Sequence, residues 1–187
     1  MKVYDDVIPA VMQEQMHNMF IDQGFQWGFL PDATYEPRDI LAYKMDKPKF
    51  PSFSHVALKE YQPKTQTAGM ISSHVLCMSD VAGLDPGHVY RMRIGLYLPI
   101  ANAPLHNNMH VDMKIPHTVI LYYVNDADGD TFFFDRNREI VDRITPKRGR
   151  MVVFDGNTLH ASSMPTKDHR ISLNIGYVDP QILQTMR

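Results

Sequence analysis

The chain has 187 residues, long enough to bury one good core and short for two ordinary domains. Its 19 basic and 21 acidic residues leave a formal charge of -2, and neither sign gathers into a stripe that would mark a nucleic-acid or membrane surface. The single cysteine, Cys77, excludes an intrachain disulfide and reads as a small buried hydrophobe in a reducing, cytoplasmic compartment.

The amino terminus, MKVYDDVIPAVMQEQ, lacks the apolar core of a signal peptide, and no stretch approaches the roughly 18 apolar residues of a membrane span. Ile8, Val11, Met12, Met16, Met19 and Phe20 then recur at helical spacing, with Pro9 near the first turn and Gly24 just past the last apolar position. That spacing predicts an amphipathic helix. From Trp27 to Pro63 the sequence is crowded with prolines and aromatics, which predicts irregular structure with one short strand. Trp27, Phe29 and Tyr35 there read as packing residues rather than a pocket lining. A second helix is expected over about Gly69–Val81, where Ile71, Val75, Cys77, Met78 and Val81 share a side, and LDPGH ends it. The thirteen methionines read as adaptable core filler.

From Val89 the character changes to β. The runs VYRMRIGLYLP, HVDM, HTVILYYV, DTFFFD, EIVDRIT, GRMVVFD and HRISLNIGYV are rich in branched and aromatic residues and separated by short turn signals. No connection is long enough for a crossover helix, so the strands must be antiparallel, in a barrel or jelly roll. There is no internal repeat, low-complexity tract or linker. The expected organisation is a single domain over 1–187, mainly β, with 1–88 as helical and irregular support and 89–178 as the β core. A helix packed on the exposed sheet face would be the usual support.

Residues two apart in a strand point to one face, so His110 and Asp112 of HVDM can bring an imidazole and a carboxylate to one point. Alone, the pair is as readily a polar strand entering a core. VVFDGNTLHAS leads a further strand and turn to His160, and Arg170 opens the next strand ten residues later. Two histidines and one carboxylate form the facial triad of non-haem ferrous oxygenases, which leaves three coordination positions open. Two can chelate a 2-oxo acid and the third takes O2. The far carboxylate of 2-oxoglutarate then calls for a planar, permanently charged partner, the role suited to arginine.

The segment from about Arg91 to Tyr177 resembles the double-stranded β-helix (jelly-roll, cupin-like) core of the prolyl-4-hydroxylase-like, 2-oxoglutarate- and Fe(II)-dependent oxygenases, small phage-encoded members included. The resemblance rests on ordered pieces: His110-Val-Asp112, Tyr123-Val-Asn125, Asp128-Gly129-Asp130-Thr131-Phe132-Phe133, Pro146-Lys147-Arg148-Gly149, His160 and Arg170. It implies that His110, Asp112 and His160 ligate Fe(II), that Arg170 pairs with the distal carboxylate of 2-oxoglutarate, and that Tyr123 adds a hydroxyl to that carboxylate. Asp128 stands where the family has its first glycine and Phe134 where a proline often follows, which leaves the loop geometry and substrate contacts open.

The implied activity is hydroxylation of a C–H bond, of a peptidyl proline or another amino-acid side chain, with release of succinate and CO2. Retention of Asp112 favours hydroxylation over halogenation, because the related halogenases carry a small residue there. Nucleic-acid demethylation is disfavoured: Gly176 occupies the position of a second arginine, and no basic stripe exists. The reading from another class is a cupin-like metal-binding β-domain without oxygenase activity. Arg91, Arg93 and Tyr97 share a strand face and reach either the site or a solvated edge, while His106, His117 and His169 are not expected to be ligands. Tyr122 is expected to point opposite to Tyr123.

Overall fold

Alternating strands that are apolar on both faces need cover on both sides, and the computed structural model, which describes residues 1–32 and 50–185, shows what supplies it. Eight strands form the larger antiparallel sheet: β1 (Lys2–Tyr4), β2 (Gly28–Leu30), β3 (Ser52–Lys59), β4 (Gln62–Pro63), β5 (Val89–Tyr97), β6 (Thr118–Tyr123), β9 (Met151–Asp155) and β11 (Arg170–Tyr177). Their order is β1-β9-β6-β11-β5-β3-β2, with β4 beside β3. The smaller sheet holds β7 (Thr131–Phe134), β8 (Ile140–Ile144) and β10 (His160–Ser162) in the order β10-β7-β8. From β6 onward the chain passes repeatedly between the sheets, which is the expected mainly β jelly roll.

The helices α1 (Ala10–Ile21), α2 (Thr67–Met70) and α3 (Ser72–Ala82) contribute to the core on one face of the large sheet, and α4 (Pro180–Thr185) follows β11. Period two divides the core cleanly along β6. Ile120 and Tyr122 join Met16, Phe20, Ile71 and Met78 on the helix side, whereas Val119, Leu121 and Tyr123 pack with Phe133 between the sheets. Tyr122 and Tyr123 therefore point apart, as their spacing requires.

Several expectations shift. The first helix buries Met16 and Phe20 as expected, but Val11 faces out, and Gln13 takes an inward position by donating its amide to the carbonyl of Ile8 and to Asp6. A buried amide is tolerable there because its hydrogens have acceptors. The second helix starts earlier and is broken at Ile71, whose φ of -99° and ψ of 6° are not helical; Val81 is exposed. It ends at Gly83 in the left-handed region (φ 68°), with Leu84 donating to the carbonyl of Ser79, as a helix closing on glycine does. The region up to Pro63 supplies more strand than expected, since β3 spans eight residues and pairs with β5. Trp27 packs against the core, and Phe29 is exposed with its ring edge-on to Phe53; Tyr35 lies outside the described residues.

The run HVDM is not a strand. Only His110 forms a ladder pair, with His160 of the small sheet, and the chain then bends away at Asp112. Asp112 reaches instead toward the large sheet, which is why one short segment can serve both walls of a cavity.

Candidate active site

The inner face of the large sheet carries Arg93, Gly95 and Tyr97 on β5 and Arg170, Ser172 and Asn174 on β11, each set spaced by two. These residues line a cavity with Ser52 and Phe53 of β3, Leu121, Thr131 and Ser162, and with His110, Asp112 and His160. The ligand atoms of His110, Asp112 and His160 lie within 4.8 Å of one another, the one such group among the described residues. Nε2 of His160 is 3.7 Å from Oδ2 of Asp112, and the two imidazole rings are 4.6 Å apart.

Each imidazole is oriented by its own backbone. Nδ1 of His110 is 3.2 Å from the carbonyl of Asn108, and Nδ1 of His160 is 2.9 Å from that of Thr158. A carbonyl accepts only, so each Nδ1 carries its hydrogen and Nε2 is the ring nitrogen left to face a metal. Burial and the neighbouring His160 push His110 down to about 4, so it is neutral near pH 7. Burial opposes ionisation of Asp112, yet His160, Arg91, His110 and the amide of Asn174 together hold its carboxyl well below the usual carboxylate range. Two imidazoles and one carboxylate form a donor set that fits ferrous iron.

At the other end of the cavity Arg170 is 2% exposed. Its Nη2 donates to Oγ1 of Thr131 at 3.0 Å, its guanidinium sits over the rings of Tyr97 and Tyr123, and its buried Nε has no partner. Among the described residues no carboxylate pairs with it. The buried acid Asp130, next to Thr131, is engaged by Arg143. A buried guanidinium lacking an anion is costly, and an incoming carboxylate would complete it. The hydroxyl of Tyr123 donates to the same Thr131 Oγ1 at 2.8 Å, so Tyr123 and Arg170 meet at one threonine.

The remaining motif residues brace this geometry. Asn125 accepts from the backbone of Ile171 at 2.8 Å and donates to the carbonyl of His169 at 2.8 Å, clamping the backbone on both sides of Arg170. The turn ending at Gly149 pairs with Tyr123 from both directions, Gly149 donating to its carbonyl and its amide donating to Arg150. Asp128 accepts from the backbone and hydroxyl of Thr166 and the backbone of Lys167, so this departure from the family pattern ties down the loop before β11. Phe134 donates its amide to Leu159 at 2.9 Å, a bond that a proline could not make.

Gly129 passes close to that loop. A Cβ there would stand 2.8 Å from both the nitrogen of Pro165 and the carbonyl oxygen of Ser163, so backbone would have to move. Gly129→Ala is expected to cost about 1–3 kcal/mol, as overpacking does. Urea unfolding of the metal-free protein measures it, and an unchanged midpoint would show that the loop yields freely.

Thr131, Ser52 and Asn174 were not singled out as site residues from the sequence. Thr131 stands inside the quoted motif, and Asn174 shares the face of Arg170 at a spacing of four, so both carried a usable signal. Ser52, 1% exposed with an unpartnered hydroxyl, carried none. His117 and His169 stand apart from the triad: His117 bonds the carbonyl of Ile115, and His169 pairs with Asp168.

Residues 101–177 match the sequence model of the 2OG-Fe(II) oxygenase superfamily. That stretch, which runs from before His110 to the end of β11, is similar to the superfamily's sequence pattern. The superfamily so matched is one of oxidoreductases that work with Fe(II) and 2-oxoglutarate, and the match favours an oxygenase over a metal-binding domain without activity. The fold of the chain is similar to that of a Pseudomonas putida prolyl-4-hydroxylase, with a TM-score of 0.58 and 15% identity over 95% of this chain and 92% of that one. It is also similar to a Trichoplax adhaerens prolyl hydroxylase in complex with a hypoxia inducible factor peptide fragment, at a TM-score of 0.65 and 11% identity over 100% and 86%. A viral collagen prolyl hydroxylase from Paramecium Bursaria Chlorella virus-1 matches at a TM-score of 0.55 and 14% identity over 95% and 96%. No curated protein sequence is significantly similar to the chain. No helix among the described residues is long and apolar enough to cross a membrane.

Proposed function

We propose that the chain is an oxygenase that hydroxylates an unactivated C–H bond of an amino-acid side chain, a peptidyl proline foremost, converting substrate, 2-oxoglutarate and O2 into hydroxylated product, succinate and CO2. The reading takes the whole chain, 1–187, as one catalytic domain. The observation that carries it is Arg170, a buried guanidinium without a carboxylate among the described residues, in the same cavity as His110, Asp112 and His160. The structural likeness to three prolyl hydroxylases supports the choice of substrate.

In this reading His110, Asp112 and His160 hold Fe(II) through the two Nε2 atoms and a carboxylate oxygen. Bound iron would activate O2, the oxidant, which takes two electrons from 2-oxoglutarate as that becomes succinate and CO2 and two from the substrate C–H bond. The residues of the chain do the positioning. Arg170 binds the distal carboxylate of 2-oxoglutarate, and Tyr123 reinforces it by turning its hydroxyl from Thr131 to that carboxylate. The rings of Tyr97 and Tyr123 beside the guanidinium keep water from it and strengthen the ion pair.

Adding ferrous iron and 2-oxoglutarate anaerobically to the metal-free protein tests the cofactor half. A weak visible charge-transfer band is expected, and it disappears in His110→Ala; iron binding without the band would leave only a metal site. Proline-containing peptides are then expected to stimulate succinate release in air and to gain one oxygen atom by mass. Stimulation by free amino acids alone would move the substrate away from peptides.

A further inference from the structure

We infer that Asn174 is the positioning residue for the carboxylate ligand, fixing which way Asp112 presents its oxygens to the metal; this rests on the metal site proposed above. Each of the three ligand side chains accepts or donates one orienting hydrogen bond. For His110 and His160 the partners are backbone carbonyls two residues away, which any sequence would supply. For Asp112 it is a side chain from a remote strand: Nδ2 of Asn174 donates to Oδ2 at 2.9 Å across 62 positions of sequence.

The need is specific to the carboxylate. An aspartate's terminal torsion is broad and roughly two-fold, so packing alone defines it poorly. The bend after His110 also removes Asp112 from any ladder that would hold its backbone rigid. The amide grips Oδ2, the same oxygen that stands 3.7 Å from Nε2 of His160. Swinging the carboxylate to offer both oxygens to a metal would break that bond, so Asn174 favours binding through one oxygen and leaves adjacent positions open for the 2-oxo acid.

β11 makes this possible by its pleat. Arg170, Ser172 and Asn174 face the cavity together, with Arg170 opposite Tyr97 and Asn174 between Arg93 and Leu121. One strand thus carries the anchor for the cosubstrate at one end and the holder of the metal's carboxylate two pleats further on. Second-layer partners of this type typically matter 10–100-fold in metal affinity.

The test uses Co(II) in place of iron, with its Kd and visible ligand-field spectrum as readouts and no turnover needed. Asn174→Leu keeps the shape and deletes the donor; Asn174→His restores a donor at the same distance from the backbone. Leucine is expected to weaken Co(II) binding at least about tenfold and to change the spectrum, and histidine to recover most of both. Wild-type affinity and spectrum in the leucine variant would overturn the inference, as would a leucine defect that histidine leaves unrepaired. If Asn174→Leu fails to fold, Asn174→Ser, also too short to reach Asp112, is read in the same way. Failure of wild type itself to bind Co(II) would instead sink the metal site, so the two failures are distinguishable.

Discussion

Replacing Arg170 with methionine is expected to abolish 2-oxoglutarate binding while leaving metal binding intact. Removing one partner of a buried, hydrogen-bonded charge pair costs about 2–5 kcal/mol of affinity, or roughly 30-fold to a few thousandfold. The same substitution is not expected to destabilise the cosubstrate-free protein. Arg170 is 2% exposed and, among the described residues, lacks a carboxylate and leaves Nε unpartnered, so a flexible apolar side chain removes a desolvation cost while filling much of the same volume. Thermal unfolding separates these effects. With metal present, 2-oxoglutarate at a hundred times its Kd adds about 2.7 kcal/mol to the native state. For a chain of this size that raises Tm by roughly 5–10 °C in wild type and by nothing in Arg170→Met. Equal shifts in both proteins would show that the distal carboxylate binds elsewhere.

Asp112→Ala is the second large effect. It removes the anionic member of the triad and leaves His110 and His160 as a two-point site. The loss of metal affinity should exceed the roughly 10–100-fold that outer-shell changes cause, and 2-oxoglutarate turnover should fall below detection. Asp112→Asn separates charge from shape: a neutral amide of the same size cannot supply the carboxylate donor, so it should fail nearly as badly. Retention of full metal affinity by either variant would exclude Asp112 as a ligand. The fold should survive both changes, because Asp112 lies in a bend outside the regular ladders and Asn174, which donates to it, keeps access to the cavity.

Much of this was legible in the sequence because strands repeat every two residues. The runs from Val89 onward were placed within a residue or two as β5, β6, β7, β8, β9 and β11, and the opposite orientation of Tyr122 and Tyr123 followed from the pleat alone. The ordered motif from His110 to Arg170 named His110, Asp112, His160 and Arg170, which line one cavity, and Tyr123, which meets Arg170 at Thr131. Local spacing also identified both helical regions, although it misassigned Val11 and Val81 to buried faces. A helical stripe is wider than the strip that a flat sheet covers, so its margin falls to solvent or core according to docking.

The sequence by itself therefore determined the antiparallel class and, HVDM excepted, most of the strands from Val89 onward, since these depend on local periodicity, and it named a candidate triad and arginine through ordered motifs. The tertiary structure alone decided the rest. That HVDM leaves the small sheet after His110, that Asn174 meets Asp112, that Thr131 joins Tyr123 to Arg170, and that Asn125 clamps the backbone around Arg170 are contacts between distant segments. Each is a hydrogen bond whose partner is chosen by which strands become neighbours, and that choice is made by burying two sheet faces at once rather than by any local preference of the chain.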